Sequence, residues 1–406
     1  MEIRPIFASL RKHRIPALLI VLEIALACAV LCNAMFMISQ RVAQIRQPNA
    51  IDEQGLTVLT LHGANNALAS SEIPRNLAAL RSIAGVTAAA TGSSVPLSGN
   101  NWGWSFSTRR DASVNDSGNT TLSLYFLGQD AGKALGLRLL KGRLFSADEY
   151  ASNHITSGIL PQLPVTVVTR TVAANLWPGQ DPLGKVLYAS PQAYTVVGVV
   201  DDVLRPYANS VNLERGYYAM FFPLQPSAYL SYYLIRSTPA DRDRVIRQAQ
   251  QVMDKLNPVA VVEARSFNQI RNEYYADVSS MVWMLVLVCV VMLGVTAVGI
   301  VGLSSFWVAQ RRRQIGIRRA IGATRGDITR YFQTENFLLT SLGIVLGMAL
   351  AFGINAYLMQ HYEMKRLAWY YLPIGAIALW LLGQVAVFGP ARRAAAVPPV
   401  VATRAA

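Results

Sequence analysis

Residues 311–351 read RRRQIGIRRAIGATRGDITRYFQTENFLLTSLGIVLGMALA, and this stretch carries the two signals on which the fold turns. Its first twenty residues hold seven arginines, and from Asn336 an apolar run continues to Leu358. A bilayer core of roughly 30 Å needs about 20 apolar residues at 1.5 Å rise each, so residues 336–358 predict a membrane span with an arginine-rich flank. Three further runs of this kind occupy residues 15–38, 278–308 and 370–390. The whole chain agrees. Of its 406 residues 52% are hydrophobic and 15% charged, with a mean hydropathy of +0.30, too apolar for an ordinary water-soluble domain.

Lys and Arg near the span ends set orientation. Arg4, Arg11, Lys12 and Arg14 precede the first span, the seven arginines lie between the second and third, and Arg392, Arg393 and Arg404 follow the fourth; Glu2 and Asp327 oppose them, with Glu335 at the entry to the third span. Residues 1–14, 309–335 and 391–406 are therefore expected in the cytoplasm, and residues 39–277 and the short loop 359–369 outside. This placement accounts for a formal charge of +14 without a nucleic-acid partner, because the cations hug the membrane. The first run is longer than the 7–15 residues of a signal-peptide core and predicts a retained anchor. Before it, Ile3, Ile6, Phe7 and Leu10 recur at helical spacing, predicting a basic amphipathic helix over 1–14 that lies on the inner leaflet. Cys28, Cys32 and Cys289 all fall inside spans and serve there as small apolar packing residues.

The outward segment is long enough for a folded domain with its own core. A strand at Leu56–Leu61, a helix with Ile73, Leu77, Leu80 and Ala84 on one face, and a strand after Gly85 open it. A strand at Tyr232–Arg236, a helix with Val245, Ala249, Val252 and Leu256 on one face, and a strand at Val259–Glu263 close it. Two βαβ-type units flanking an insertion predict an α/β lobe built from both ends and a β-rich inserted lobe between them. Within the insertion, Trp102, Trp104 and Phe106 stand beside Gly and Asn as an exposed aromatic loop or edge hairpin. Such aromatics form a docking surface or fill the lobe's own core.

Catalytic signals are missing. Gly179–Lys185, GQDPLGK, has the spacing of a phosphate loop, but Val186 stands where Ser or Thr should hold magnesium. Asp181 would repel phosphate and Pro182 lacks a donor N–H, so the stretch is expected to be a turn between a helix ending near Trp177 and a strand starting near Lys185. His13, His62, His154 and His361 have no ligand spacing between them. Asp201 and Asp202, after a strand at Tyr194–Val200, are expected in a solvated turn. No catalytic residue, bound cofactor or metal ligand is expected on this chain.

The arginine-rich loop breaks at Gly322, a helix stop, and restarts at Thr324 with Asp327 three residues on, a capping-box pattern. It predicts a helical elbow, able to pass a push from a cytoplasmic partner to the membrane as nearly rigid motion; its arginines suit acidic partner groups or anionic lipid, and composition alone favours lipid. Beyond it, Gly343, Gly347 and Ala351 form a small-xxx-small row for close helix packing. Glu23 and Glu335 are costly if they face lipid, so each is expected to face a neighbouring helix or the interface.

Residues 311–351 resemble the FtsX-like permease domain of MacB-type ABC transporters, whose pattern is an R-x-x-E-I-G-I-R-x-A-x-G-A segment followed by a Glu and a G-x-x-x-G span. Val165–Leu187 and Tyr194–Val200 resemble the MacB-type periplasmic core, and Pro390-Ala-Arg-Arg-Ala the family's C-terminal end. The resemblance implies an inner-membrane permease that works as a dimer, with an identical or related second copy, by mechanotransmission, the type VII mode. A cytoplasmic ABC ATPase that binds ATP and Mg would dock on Ile315, Gly316, Ile317, Arg318, Arg319, Ala320, Gly322 and Ala323. It further implies efflux of an amphiphilic compound or peptide with a periplasmic adaptor and an outer-membrane channel. Lipoprotein release, or signalling to a periplasmic enzyme without transport, remain open. Two departures stand out: Gln314 replaces the family's Glu, and no ATPase segment is fused to this sequence, so a partner subunit is expected to supply it.

Overall fold

The computed structural model describes residues 14–112, 116–155, 160–208, 212–362 and 366–396. The amphipathic helix expected over 1–14 lies outside the described residues, apart from Arg14. The chain divides into two units, residues 47–276 and the remainder. Helix α1 (Arg14–Ile45) belongs to the second of these.

In residues 47–276, strand β1 (Leu56–His62), helix α2 (Ala69–Arg81) and strand β2 (Val86–Gly92) come first. The insertion follows, with strands β3 (Trp102–Phe106) and β4 (Thr120–Leu127), helix α3 (Ala131–Leu135), strand β5 (Leu139–Gly142), helix α4 (Ala147–Ser152), strand β6 (Val165–Thr169), helix α5 (Arg170–Leu176) and strands β7 (Val186–Ala189), β8 (Gln192–Val200) and β9 (Ala219–Pro223). Strand β10 (Tyr232–Ser237), helix α6 (Arg242–Leu256), strand β11 (Val261–Ser266) and helix α7 (Phe267–Tyr274) close the unit.

The end units interleave. Their strands lie in the order β11-β1-β10-β2, with β1 antiparallel to β10 and β11 and β10 antiparallel to β2. Each βαβ unit is thus split by a strand of the other. Ile73, Leu77 and Leu80 of α2 and Val245, Ala249 and Met253 of α6 are buried on one sheet face. Met253 takes the buried place expected of Leu256, and Ala84 lies past the end of α2, which stops at Arg81. The sheet continues into the inserted lobe through a single pair, Gly92 with Leu127, then runs β4-β9-β6-β8-β5. The sheet junction is narrow, but the two lobes share one core, and α3 of the insertion meets β10, where Arg236 Nε donates to the Ala134 carbonyl at 2.7 Å.

Within the insertion one open reading is resolved and one expectation corrected. Of the two alternatives for the aromatic run, the hairpin holds: it is strand β3, paired in antiparallel register with β4. Phe106 is buried and packs edge-on to Tyr194, their ring centres 6.2 Å apart, so it cannot line a docking surface; Trp102 and Trp104 are half-buried against the same core. Strand alternation drives Phe106 inward, and Trp102 finds Tyr229 at 6.0 Å. Asp201, expected in solvent, is buried and pairs with Arg138 and with Arg170, the latter at 3.2 Å. Burial pushes its carboxyl up, but the hydrogen bonds from Arg138 and the Asp202 N–H and the charges of both arginines outweigh this and hold it below the usual range. Asp202 meets Arg170 at 2.9 Å and accepts from the Thr171 N–H. GQDPLGK is a turn between α5 and β7.

The other unit contains α1 and helices α8 (Ala276–Gln310), α9 (Arg312–Ala320), α10 (Arg325–Tyr362) and α11 (Tyr371–Ala395). Four of these, α1, α8, α10 and α11, are long and apolar enough to cross a membrane. Along α10, an added Cβ at Gly343 would lie 2.8 Å from Ile24 and one at Gly347 2.6 Å from the Ala25 carbonyl oxygen, both on α1. Only glycine permits that approach. Ala351 is fully buried one turn further on, where its carbonyl accepts from Asn33 Nδ2 at 3.2 Å. Helix α11 closes the bundle, its Gly375 against Cys32 and its Gly383 against Asn336 and Thr340. Glu23 packs where Gly299 of α8 leaves room, as its carboxylate would overlap any Cβ there. Helix α8 otherwise turns a broad apolar surface outward, including Trp283, Leu287, Val291 and Val298.

Candidate coupling elbow

The elbow is shorter than residues 309–335. Residues 325–335 are the first turns of α10, continuous with the span, because nothing from Ile328 to Leu342 is a Gly or Pro that would break the helix. What bends is Arg311–Thr324. Arg311 stands between α8 and α9, its N–H donating back to the Trp307 carbonyl at 3.1 Å while its own carbonyl accepts from Ile315 at 2.9 Å.

The C-terminal end of α9 is tightly capped. Gly322 has φ +104°, a left-handed conformation that disfavours residues with a Cβ. The Ala323 N–H donates to the Arg318 carbonyl at 3.1 Å and the Gly322 N–H to the Arg319 carbonyl at 3.2 Å, the paired bonds of a Schellman cap. Thr324 then opens α10: the Asp327 N–H donates to Thr324 Oγ1 at 3.2 Å, and the Thr324 N–H to Asp327 Oδ2 at 3.0 Å. Between them the caps satisfy the helix ends on both sides of a two-residue turn.

Side chains hold the elbow against the helices. Ile315 is buried with Ile328 and Phe332 of α10 and Ala391 and Ala394 of α11, and Ala323 packs on the same cluster. Gly316 is buried beside Ile315. The Arg318 guanidinium lies 4.8 Å from the Tyr331 ring centre, and Arg319 Nη1 donates to the Ala395 carbonyl at 3.0 Å. Ala320 and Gly322 are exposed. Ile317 and Ile321, four residues apart and so on one face, are 45% and 81% exposed, with the exposed Arg313, Arg318 and Arg325 within four residues along the chain.

The strongest tie is one that sequence reasoning missed. Arg311 counts in the sequence as one more topology-setting cation, yet it is 7% exposed, and Glu335 is 1% exposed. Arg311 Nη1 donates to both Glu335 carboxylate oxygens, at 3.1 and 3.0 Å, and the guanidinium lies 5.4 Å over the Trp307 ring. The pair fastens the end of α8 to α10 across the elbow. The available signal was depth: an acid at the membrane entry needs a cation at the same level, and Arg311 is the first one after the second span.

Among the described residues no group of His, Cys, Asp or Glu could hold a metal ion. A family model described as the MacB-like periplasmic core domain matches residues 18–264, and one described as the FtsX-like permease C-terminal matches residues 284–399. The macrolide export ATP-binding/permease protein MacB of Chromobacterium violaceum is 25% identical over 286 residues, covering 68% of this chain and 42% of that protein. The probable syringafactin export ATP-binding/permease protein SyfD of Pseudomonas syringae pv. syringae is 26% identical over 251 residues, 59% of this chain and 38% of that protein. The chain spans less than half the length of these curated relatives. The crystal structure of the periplasmic region of MacB from Actinobacillus actinomycetemcomitans matches with a TM-score of 0.37 at 13% identity, covering 55% of this chain and 94% of that one.

Proposed function

The chain belongs to the family of permeases that join a MacB-like periplasmic core domain to an FtsX-like C-terminal domain, and from that membership we propose that it is the membrane subunit of an ABC-type export system. In this reading an ATP-binding partner, carrying ATP and Mg, docks on α9 from the cytoplasm, and two permease copies work together. Residues 39–277 face the periplasm, where an adaptor and an outer-membrane channel would complete the route. The cargo is an amphiphilic compound or peptide, in keeping with the export named for the relatives.

One observation carries the reading: α9 is a capped, clamped lever that presents Ile317 and Ile321 outward. Apolar side chains at the centre of a basic patch suit a partner that seats them in a pocket and meets the arginines with acidic groups. A push on that face reaches α8 through Arg311, α10 through Arg311–Glu335 and Arg318–Tyr331, and α11 through Arg319–Ala395. A disordered loop would absorb the same push as local rearrangement.

The test is recovery of the tagged chain from its native membrane in mild detergent, with mass spectrometry and an ATPase assay on the eluate. Co-recovery of an ATP-binding subunit with vanadate-sensitive hydrolysis, lost in Arg318→Glu with membrane insertion intact, supports it. A chain that comes down alone and inert, or hydrolysis indifferent to Arg318→Glu, refutes coupling through the elbow. Co-purified lipoprotein or a periplasmic hydrolase would redirect the cargo assignment to extraction or signalling.

A further inference from the structure

The sheet face opposite α2 and α6 holds a cavity of about 150 Å³. Its floor is set by register: Val58 and Thr60 of β1 point into it, with Arg265 of β11 opposite Val58 and Tyr232 of β10 opposite Thr60. Helix α7 covers one side with Ile270, Glu273 and Tyr274, spaced to fall on one helical face. Residues 97–99 cover another.

Three features distinguish this cavity from a packing remainder. Ser98 Oγ is buried and has no hydrogen-bond partner among the described residues, a cost a folded protein normally avoids. Leu97 sits at φ 63°, a left-handed conformation that is strained for a branched side chain. It is held there by two hydrogen bonds, from the Leu97 N–H to the Arg205 carbonyl at 3.2 Å and from the Gly99 N–H to the Pro206 carbonyl at 2.9 Å. Strain fixed in this way collects at ligand clamps. Finally, Arg265, partly exposed, pairs with Glu273 at 2.6 Å and with Glu263 at 3.2 Å, so the mouth offers donors and acceptors and its cation is already engaged by two carboxylates.

We propose that this cavity is a subsite for one bulky apolar side chain of an amphiphilic peptide cargo. Size supports it, since a cavity of about 150 Å³ accepts a benzene-sized group, and Val58, Leu97 and Ile270 give it apolar walls. The cargo's main-chain amide lies at the mouth, its carbonyl accepting from Ser98 or Arg265 and its N–H donating to Glu273. An arginine already paired with two carboxylates has no charge left for an anionic headgroup, which favours a neutral amide. The proposal rests on the cargo class proposed above and adds where that cargo is held.

The test uses the full chain in lipid nanodiscs, without ATP or partner, and two probes: N-acetyl-phenylalaninamide and N-acetylglycinamide, followed by saturation-transfer NMR. Saturable binding of the first and none of the second is expected, abolished in Thr60→Phe, which fills the cavity, and weakened roughly 3- to 10-fold in Ser98→Ala, which removes one hydrogen bond. Thermal melting shows whether Thr60→Phe folds, and Ser98→Ala decides the matter if it does not. Equal binding of both probes, no saturable binding, or binding indifferent to the substitutions overturns the subsite. Because the readout needs no ATPase, specific probe binding alongside an inert pull-down would refute the export reading and leave the subsite standing.

Discussion

Cutting the Arg311–Glu335 pair from one side should cost far more than replacing it whole. The two side chains are 8% and 2% exposed, with Arg311 Nη1 at 3.0 and 3.1 Å from the two carboxylate oxygens. Glu335 lines one small pocket with Trp307, Phe332 and Leu339, together with Ser304 and Asn336, surroundings that are mostly apolar and leave little room for water to replace a lost partner. Removing one member of such a pair strands a buried charge, at about 3–5 kcal/mol. Glu335→Leu and Arg311→Met should each lose about that much. At about 2–4 °C per kcal/mol for a domain of this size, the melting temperature should fall by roughly 10 °C. The double variant removes both charges and puts apolar groups in a mostly apolar site, so it should lie within about 1 kcal/mol of the parent. The assay is a double-mutant cycle on the full chain in one fixed detergent, read by thermal or denaturant unfolding. Single losses under about 1 kcal/mol, or a double variant that loses the sum of both, would refute a buried, mutually dependent pair.

Gly347→Val should force α1 and α10 apart, because even a Cβ there would lie 2.6 Å from the Ala25 carbonyl oxygen; a loss of about 1–3 kcal/mol in unfolding is expected, against little change for Gly353→Ala, which meets open space. Trp102→Ala and Trp104→Ala should each lower the stability of the outward unit by about 2 kcal/mol in urea, since these rings are half-buried against its core; unchanged stability with weakened partner binding would restore the docking role. Glu149 is held below the usual carboxylate range by its hydrogen bond from Arg143, with the Ser146 N–H and the Arg143 charge adding to this against the opposing effect of burial. Its contribution to stability is therefore complete above the ordinary value of about 4.3 and lost as pH falls through the lower folded value. Melting of the outward unit should hold from pH 7 to 5 and fall below about pH 4, less steeply in Glu149→Gln, and a drop already under way at pH 6 would contradict this.

Much of the fold was legible because it repeats short-range signals. Four long apolar runs can only be membrane helices or core, and Ile73, Leu77 and Leu80 fall on one face of any helix. The interleaving of β1, β10, β2 and β11 was not legible, since it depends on which strands pair across some 170 residues, and local alternation is the same for either pairing. Asp201 shows the same limit: an acid after a strand reads as a solvated turn until Arg138 and Arg170, 63 and 31 residues away in the chain, are brought against it.

The elbow divides along the same line. Its caps were readable because Gly322, Thr324 and Asp327 act within one turn of chain; its exposed apolar pair, Ile317 and Ile321, came only with the structure. Which of seven arginines turns inward was not, because 311 and 335 meet only after the chain has gone out along α9 and back along α10. Gln314 bears on this. With a neutral side chain there, Arg311 meets no acid from α9, and its ion pair is with Glu335 of α10. In a relative with Glu at that position, a second carboxylate on α9 could compete for the same guanidinium. Gln314→Glu should then reduce the penalty of Glu335→Leu below its value in the parent background, an offset that would be absent if position 314 only faces solvent.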